Sequence, residues 1–376
     1  MTNDIAQLRA DYQKTGGINY QDINAKDWVD AHFQLGQIFK NEINQIAADR
    51  FKEKDFDVDF QVGLANLCLN YLKTKLDDSQ VGSLIKLYLD CLEAWANGCS
   101  LNVPNFNLSK IELALILQND VVGCITTLIR NSANNVHLIH SEEDVSGMIK
   151  KPTVIHFSVR KDNGEDQKIT SFVYPALLPG PAFSFSEKMI MANDFLYTNH
   201  CKDYYKKNQP FCLINILTWI LFITQDYDLA ETYANKLMPF VDGNAVNLIN
   251  LKNINAKTIE IAGDELKTKE LPIVSKSYQV QVNIFNQPSS LICQNHEEVD
   301  PNKKVLLSER IEIISDFLEA NLDLPFPKIA SFQALQTGGS FAPANQDVKA
   351  TFLANVFPNK TDLKIIAGPL LSTDFE

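Results

Sequence analysis

The sequence has no C-x-x-C pair. Its seven cysteines, Cys68, Cys91, Cys99, Cys124, Cys201, Cys212 and Cys293, are odd in number and widely spaced. That excludes a zinc-ribbon or dithiol redox motif and argues against a disulfide framework. Several stand in apolar runs, where a thiol serves as a small hydrophobe, so a reducing, cytoplasmic compartment is expected. No apolar run approaches the ~20 residues of a membrane span; the longest, from Cys212 to Thr224, reads as a buried helix. The opening residues, MTNDIAQLRADYQK, lack an apolar segment, so no secretory signal is expected. A Gly-rich phosphate loop is also missing, since Thr337-Gly-Gly-Ser340 reads as a turn. There is no internal repeat and no low-complexity linker.

Positive charge is scarce as well. Lys+Arg number 34 against 46 Asp+Glu, a net charge of −12, and basic stretches such as Lys202, Lys206 and Lys207 are short. A phosphate backbone or an anionic membrane surface needs a clustered basic face, so neither is an expected partner. What remains is ordinary globular composition, 45% hydrophobic and 21% charged over 376 residues. A chain of that length buries a core without help from disulfides or metal. No cofactor or metal is expected, the expected partner is a small molecule, and the oligomeric state is left open.

Periodicity divides the chain in two. Trp28, Phe33, Leu35, Ile38, Phe39, Ile43 and Ile46 form a helical stripe over Asp27 to Phe51, repeated from Phe60 to Leu72 and from Val81 to Trp95. Ser109-Lys-Ile-Glu112 is a capping box that opens a short helix to Leu117. From Val121 the texture becomes strand-like. Ile125 to Arg130 and Val136 to His140 are joined by the turn cluster Asn131–Asn135, followed by strands at Val154–Val159, Ile169–Leu178 and Met189–Leu196. Helices return at Cys212–Thr224 and Leu229–Met238, the latter with cap candidates Asp226 and Asp228. Strands at Val246–Leu251, Thr258–Ile261 and Tyr278–Phe285, a helix at Ser308–Ala320, and strands at Thr351–Val356 and Leu363–Ile366 complete an α+β pattern.

Cys124, after Gly123, stands where the helical part gives way to strands. Glu93-Ala-Trp-Ala-Asn-Gly-Cys-Ser-Leu-Asn-Val103, the capped helix, and Val122-Gly123-Cys124-Ile-Thr-Thr127 resemble the acyl-coenzyme A:6-aminopenicillanic-acid acyltransferase family, which is related to the acid ceramidases and acylethanolamine amidases. His137-Leu-Ile-His140 through Asp144, Leu178-Pro-Gly-Pro-Ala-Phe-Ser-Phe-Ser186 with Met189–Leu196, Gln281-Val-Asn283-Ile-Phe285 and Ser308-Glu-Arg310 follow in the family's order. The resemblance covers about residues 27–370, and it rests on the order of the motifs rather than on any one of them.

The resemblance implies a four-layer αββα N-terminal-nucleophile hydrolase fold preceded by a helical N-terminal segment, 1–123, with the sheet-rich nucleophile chain at 124–376. It implies self-cleavage between Gly123 and Cys124 and then amide hydrolysis or acyl transfer on a small amide. Glycine before the scissile bond admits the backbone geometries of a strained N→S acyl shift. The freed α-amine, with a reference pKa of ~7.7–8.0, supplies a general base at neutral pH. Asn283 is then an oxyanion donor, Asp144 holds the α-amine or orients the nucleophile, and Arg310 and Phe183 contact substrate.

The chain departs from the family at Ile125, where a hydroxyl is usual, and at Gln281, where a histidine is usual. Ser141, Glu142 and Glu143 replace a cationic or amide donor. A non-catalytic relative serving as a binding protein is the alternative. His137 and His140, three apart on a strand, face opposite ways and cannot share a metal. Asn199-His200-Cys201 reads as a surface turn. Phe183, Phe185, Trp219 and Phe222 are expected in the core, with some lining an apolar acyl pocket.

Overall fold

The computed structural model describes residues 17–53, 56–104, 106–118, 123–143, 152–161, 163–195, 214–238, 243–262, 265–273, 277–281, 314–322, 324, 326, 328–330 and 348–368. Helices dominate up to residue 117. Helix α1 (Trp28–Ile38) starts because the Asp27 carboxylate accepts a hydrogen bond from Asp30 N at 2.7 Å, and it buries Trp28, Ala31, His32 and Leu35. The expected single stripe from Asp27 to Phe51 is broken at Phe39, whose φ of −100° ends α1 and begins α2 (Lys40–Arg50). The second half buries only Ile43 and Ala47, so two short helices bent at a buried Phe39 cover the core better than one straight rod. Helix α3 (Val58–Thr74) is capped by Asp57, helix α4 (Gly82–Gly98) buries Ile85, Tyr88, Leu92 and Trp95, and α5 (Lys110–Leu117) carries the Ser109/Glu112 capping box.

Helices α1 and α4 cross with their backbones almost touching. A Cβ on Gly36 would stand 2.2 Å from the Trp95 carbonyl oxygen, and one on Gly98 would stand 2.1 Å from that of Phe33. Only glycine fits at either position.

The strands form two sheets. The larger has the order β1 (Asn19–Ala25), β4 (Thr153–Arg160), β5 (Asp166–Val173), β6 (Phe183–Ser186), β7 (Met189–Phe195), β8 (Asn244–Asn250), β9 (Asn255–Ala262) and β10 (Glu265–Glu270). All its pairings are antiparallel except β1 on β4. The smaller has the order β11 (Ser277–Gln281), β2 (Gly123–Ser132), β3 (Asn135–Glu143), β12 (Val348–Phe357) and β13 (Lys360–Ala367), antiparallel throughout.

Three apolar clusters order these parts. One joins the N-terminal helices and α6 (Ile214–Thr224) and α7 (Ala230–Leu237) to one face of the large sheet. A second lies between the sheets, built from Leu128, Leu138 and Phe352 on one side and Phe172, Phe183 and Ile190 on the other. The third packs the far face of the small sheet, through Ile129, Ile139 and Leu353, on Ile314 and Leu318 of the helical residues 314–321 and on Phe326 and Ile329. The protein is therefore a mixed α+β molecule, with two sheets among the described residues. No helix among the described residues is long and apolar enough to cross a membrane.

Three strands escape the sequence patterns. β1 (NYQDINA) is mostly polar, β6 has four residues, and β10 (ELKTKE) is a charged edge strand. The expected strand to Leu178 stops at Val173, after which residues 174–177 turn through a Leu177 N to Tyr174 O bond. The Cys212–Thr224 run is a buried helix over Ile214–Thr224, and Trp219, Phe222, Phe183 and Phe185 are buried as expected.

Candidate functional site

The hairpin β2–β3 brings the chemistry together. Cys124 is the second residue of β2, and its cross-strand partner is Glu142; Thr126 likewise faces His140, and Leu128 faces Leu138. Directly opposed residues of an antiparallel pair project to the same side, here into the seam between the sheets. Alternation then sends His137 and Ile139 to the other face.

A connected set of polar side chains fills the seam. The Cys124 thiol donates to Glu142 Oε2 at 3.5 Å, and Tyr174 OH donates to the same oxygen. Glu142 Oε1 lies 2.8 Å from His140 Nε2, and His140 Nδ1 lies 2.7 Å from Thr126 Oγ1. The Thr126 hydroxyl favours the ionised form of Asp194, which reaches the seam from β7 on the opposite sheet. Asn247 Nδ2 donates to Asp194 Oδ2 at 2.7 Å and Thr258 Oγ1 donates to Asn247 Oδ1 at 2.6 Å, so the set extends across β8 and β9. Cys124, Thr126, His140, Glu142, Asp194 and Thr258 are all fully buried.

Burial sets the electrostatics. Loss of solvent pushes the Asp194 carboxyl up to about 7, against the opposing pull of His140 and the Thr126 and Asn247 hydrogen bonds, while Glu142 pushes it further up. Two acids and one imidazole thus share a dry volume, an arrangement that stands only where each is paired. Tyr174 is held by its turn, which Gln118 fixes from α5 by accepting from Leu178 N at 2.9 Å and donating to Ala176 O at 3.2 Å. Phe183, expected at the substrate, lies beside the site. Its ring stacks on Phe352 at 4.4 Å and faces His140 at 6.4 Å between centroids.

Cys124 is fully enclosed, with two packed sheets closed over it. The residue beside the thiol is Glu142, two positions before Asp144. Asp144, Asn283, Arg310 and the Asn199–Cys201 turn lie outside the described residues. Gln281 ends the described part of β11, opposite Thr126, two residues before Asn283. His137 and His140 do face opposite ways, His137 bonding Asn355 Oδ1 at 2.6 Å and stacking on Phe326.

Sequence reasoning missed Thr126, His140, Glu142, Tyr174, Asp194 and Asn247 as a set. The signal for the first three was present in the hairpin, since alternation puts 140 and 142 on one face and the turn places them opposite 126 and 124. Tyr174, Asp194 and Asn247 come from the other sheet, and no local pattern announces a contact between sheets.

Fold and site together define a mixed α+β protein with a buried thiol–carboxylate–imidazole cluster between two sheets. No family model matches the chain, and no curated protein matches it.

Proposed function

We propose that the chain is a self-processing cysteine amidohydrolase or acyltransferase of the N-terminal-nucleophile class, with an αββα arrangement and Cys124 as nucleophile. The order of the three clusters, helices on sheet, sheet on sheet, sheet on helical segment, supports that arrangement. The observation that carries the reading is the Cys124 thiol donating to the Glu142 carboxylate one residue after Gly123.

In this mechanism Glu142 takes the Sγ proton and the thiolate attacks the Gly123 carbonyl carbon. Protonated Glu142 is neutral, so it no longer repels the oxyanion that forms. The tetrahedral species collapses as the C–N bond breaks and Glu142 returns its proton to the Cys124 nitrogen. That breakage frees the α-amine and leaves a thioester of Gly123, which water hydrolyses to the free thiol and the Gly123 carboxylate. His140 and Tyr174 hold the carboxylate in place throughout. Enclosure suits this step, because an intramolecular attack needs no access from solvent. In turnover the same thiol takes the acyl group of a small amide, the amine leaves, and water or a second amine releases the acyl group. Asn283 as oxyanion donor, Asp144 at the α-amine and Arg310 at the substrate complete the reading by resemblance.

Peptide mapping after a thiol electrophile tests it. Cys124 is expected to react at least ~10-fold faster than the equally buried Cys68 and Cys91, since Glu142 beside it accepts the thiol proton as the sulfur attacks. Reaction no faster than at the buried Cys68 and Cys91 would favour the second reading, a non-catalytic binding protein, to which the complete burial of Cys124 lends support.

A further inference from the structure

The geometry points to a divalent-cation site of zinc type in the seam, with Cys124 Sγ, His140 Nε2 and one Glu142 carboxylate oxygen as ligands. One ligand atom from each of these side chains lies within 4.8 Å of the others, and all three residues are buried. A soft thiolate, an imidazole and a carboxylate form a set that suits zinc and disfavours magnesium or calcium, which take oxygen ligands.

The spacing fits. Tetrahedral zinc with Zn–S of ~2.3 Å and Zn–N and Zn–O of ~2.0–2.1 Å sets its sulfur and oxygen ligands about 3.5 Å apart and its nitrogen and oxygen ligands about 3.3 Å apart. Cys124 Sγ is 3.5 Å from Glu142 Oε2 and His140 Nε2 is 2.8 Å from Glu142 Oε1, so the carboxylate must turn to bring one oxygen to both, starting from atoms that already lie within 4.8 Å of one another. The surrounding shell is already built. His140 Nδ1 is held by Thr126 Oγ1, which leaves Nε2 for the metal, and Tyr174 OH orients the Glu142 carboxylate.

Charge supplies a second, independent observation. Asp194 is fully buried on the facing sheet, and its Oδ1 has no hydrogen-bond partner among the described residues. Two acids and a thiol enclosed with one imidazole form a cage short of positive charge, and a divalent cation offsets the shortfall. On binding, the thiol proton and any proton on His140 Nε2 pass to solvent, and no redox change is involved. Resting on the reading of Cys124 as nucleophile, a bound zinc ion holds Sγ away from the Gly123 carbonyl and keeps the chain uncut.

Chelator-stripped full-length protein titrated with Zn2+ tests binding by calorimetry, and Co2+ as a probe reports its ligands. One equivalent is expected to bind, with a thiolate-to-cobalt absorption band that is absent from Cys124→Ala and His140→Ala and kept in Cys91→Ala. Thr126→Val, which leaves every ligand in place, is expected to weaken Zn2+ binding by ~10–100-fold. Circular dichroism of each variant separates a lost ligand from a lost fold, and where an alanine variant does not fold, the wild-type cobalt spectrum and Thr126→Val decide. Absence of stoichiometric Zn2+ binding, or a cobalt band that survives Cys124→Ala, overturns the site. Binding is read without cleavage, so a chain that binds zinc and is still never cut after the metal is stripped contradicts only the nucleophile reading. A chain that is cut and binds no zinc contradicts only the metal site.

Discussion

Cys124 and Glu142 are direct cross-strand partners on the inner face of the β2–β3 hairpin, with the sulfur 3.5 Å from the carboxylate oxygen. The strand pair itself thus sets a nucleophile against a proton acceptor, and the two sheets exclude water from both. Glu142→Gln keeps the shape and the hydrogen-bond reach to Tyr174 and His140 but removes the base. Self-cleavage in this variant is expected to slow by ~10²–10⁴-fold, the usual worth of a positioned general base. Time-resolved denaturing gels check it; an unchanged rate would show that Glu142 is not the acceptor.

Acid sensitivity should come from a different place. His32 is fully buried under α4 and α6, where its Nδ1 donates to Trp28 O at 2.7 Å and its Nε2 accepts from Trp219 Nε1 at 2.9 Å. Those partners fix the neutral ring, since a second proton would face the indole N–H. Burial lowers its pKa to about 4 from 6.5. The folded value lies below the unfolded one, so this contribution is complete above pH 6.5 and is lost as pH falls towards 4. Urea unfolding between those limits should show stability falling with pH. His32→Gln should flatten that slope; a slope unchanged by the substitution contradicts the assignment.

The helical layer is set by contact distance. Gly36→Ala places a methyl 2.2 Å from the Trp95 carbonyl oxygen, so α1 and α4 must move apart along their whole crossing. A loss of about 2 kcal/mol or more is expected, the range of core overpacking. Gly164→Ala, where nothing lies within 4 Å but φ is +83°, should cost only the ~1 kcal/mol of a left-handed alanine. Chemical denaturation of the two variants compares them directly; equal losses would mean that the crossing yields.

The helices and the first hairpin were legible because their apolar spacing survives in isolation, as in Val81–Trp95 and in Val136–His140 against Ile125–Arg130. The edge strands β1 and β10 were not, because a strand that buries only one row of a sheet edge carries no apolar alternation to read. Within the site, Cys124 stood out by its place after Gly123, and the family likeness drew attention to Asp144. The hairpin alone would have directed it to Glu142, since residues 124 and 142 are equidistant from the turn centre at 133 and pair without a shift beyond the irregularity near Ile129 and Ser132. Asp194 and Asn247 were out of reach, because their meeting with Thr126 and His140 depends on how one sheet lies over another.

The most direct measurement is N-terminal sequencing, with intact mass, of the purified full-length protein. The account predicts chains of 123 and 253 residues, the second beginning at Cys124, and a single uncut chain for Cys124→Ala. A wild-type protein that stays one chain after days in zinc-free buffer would contradict it.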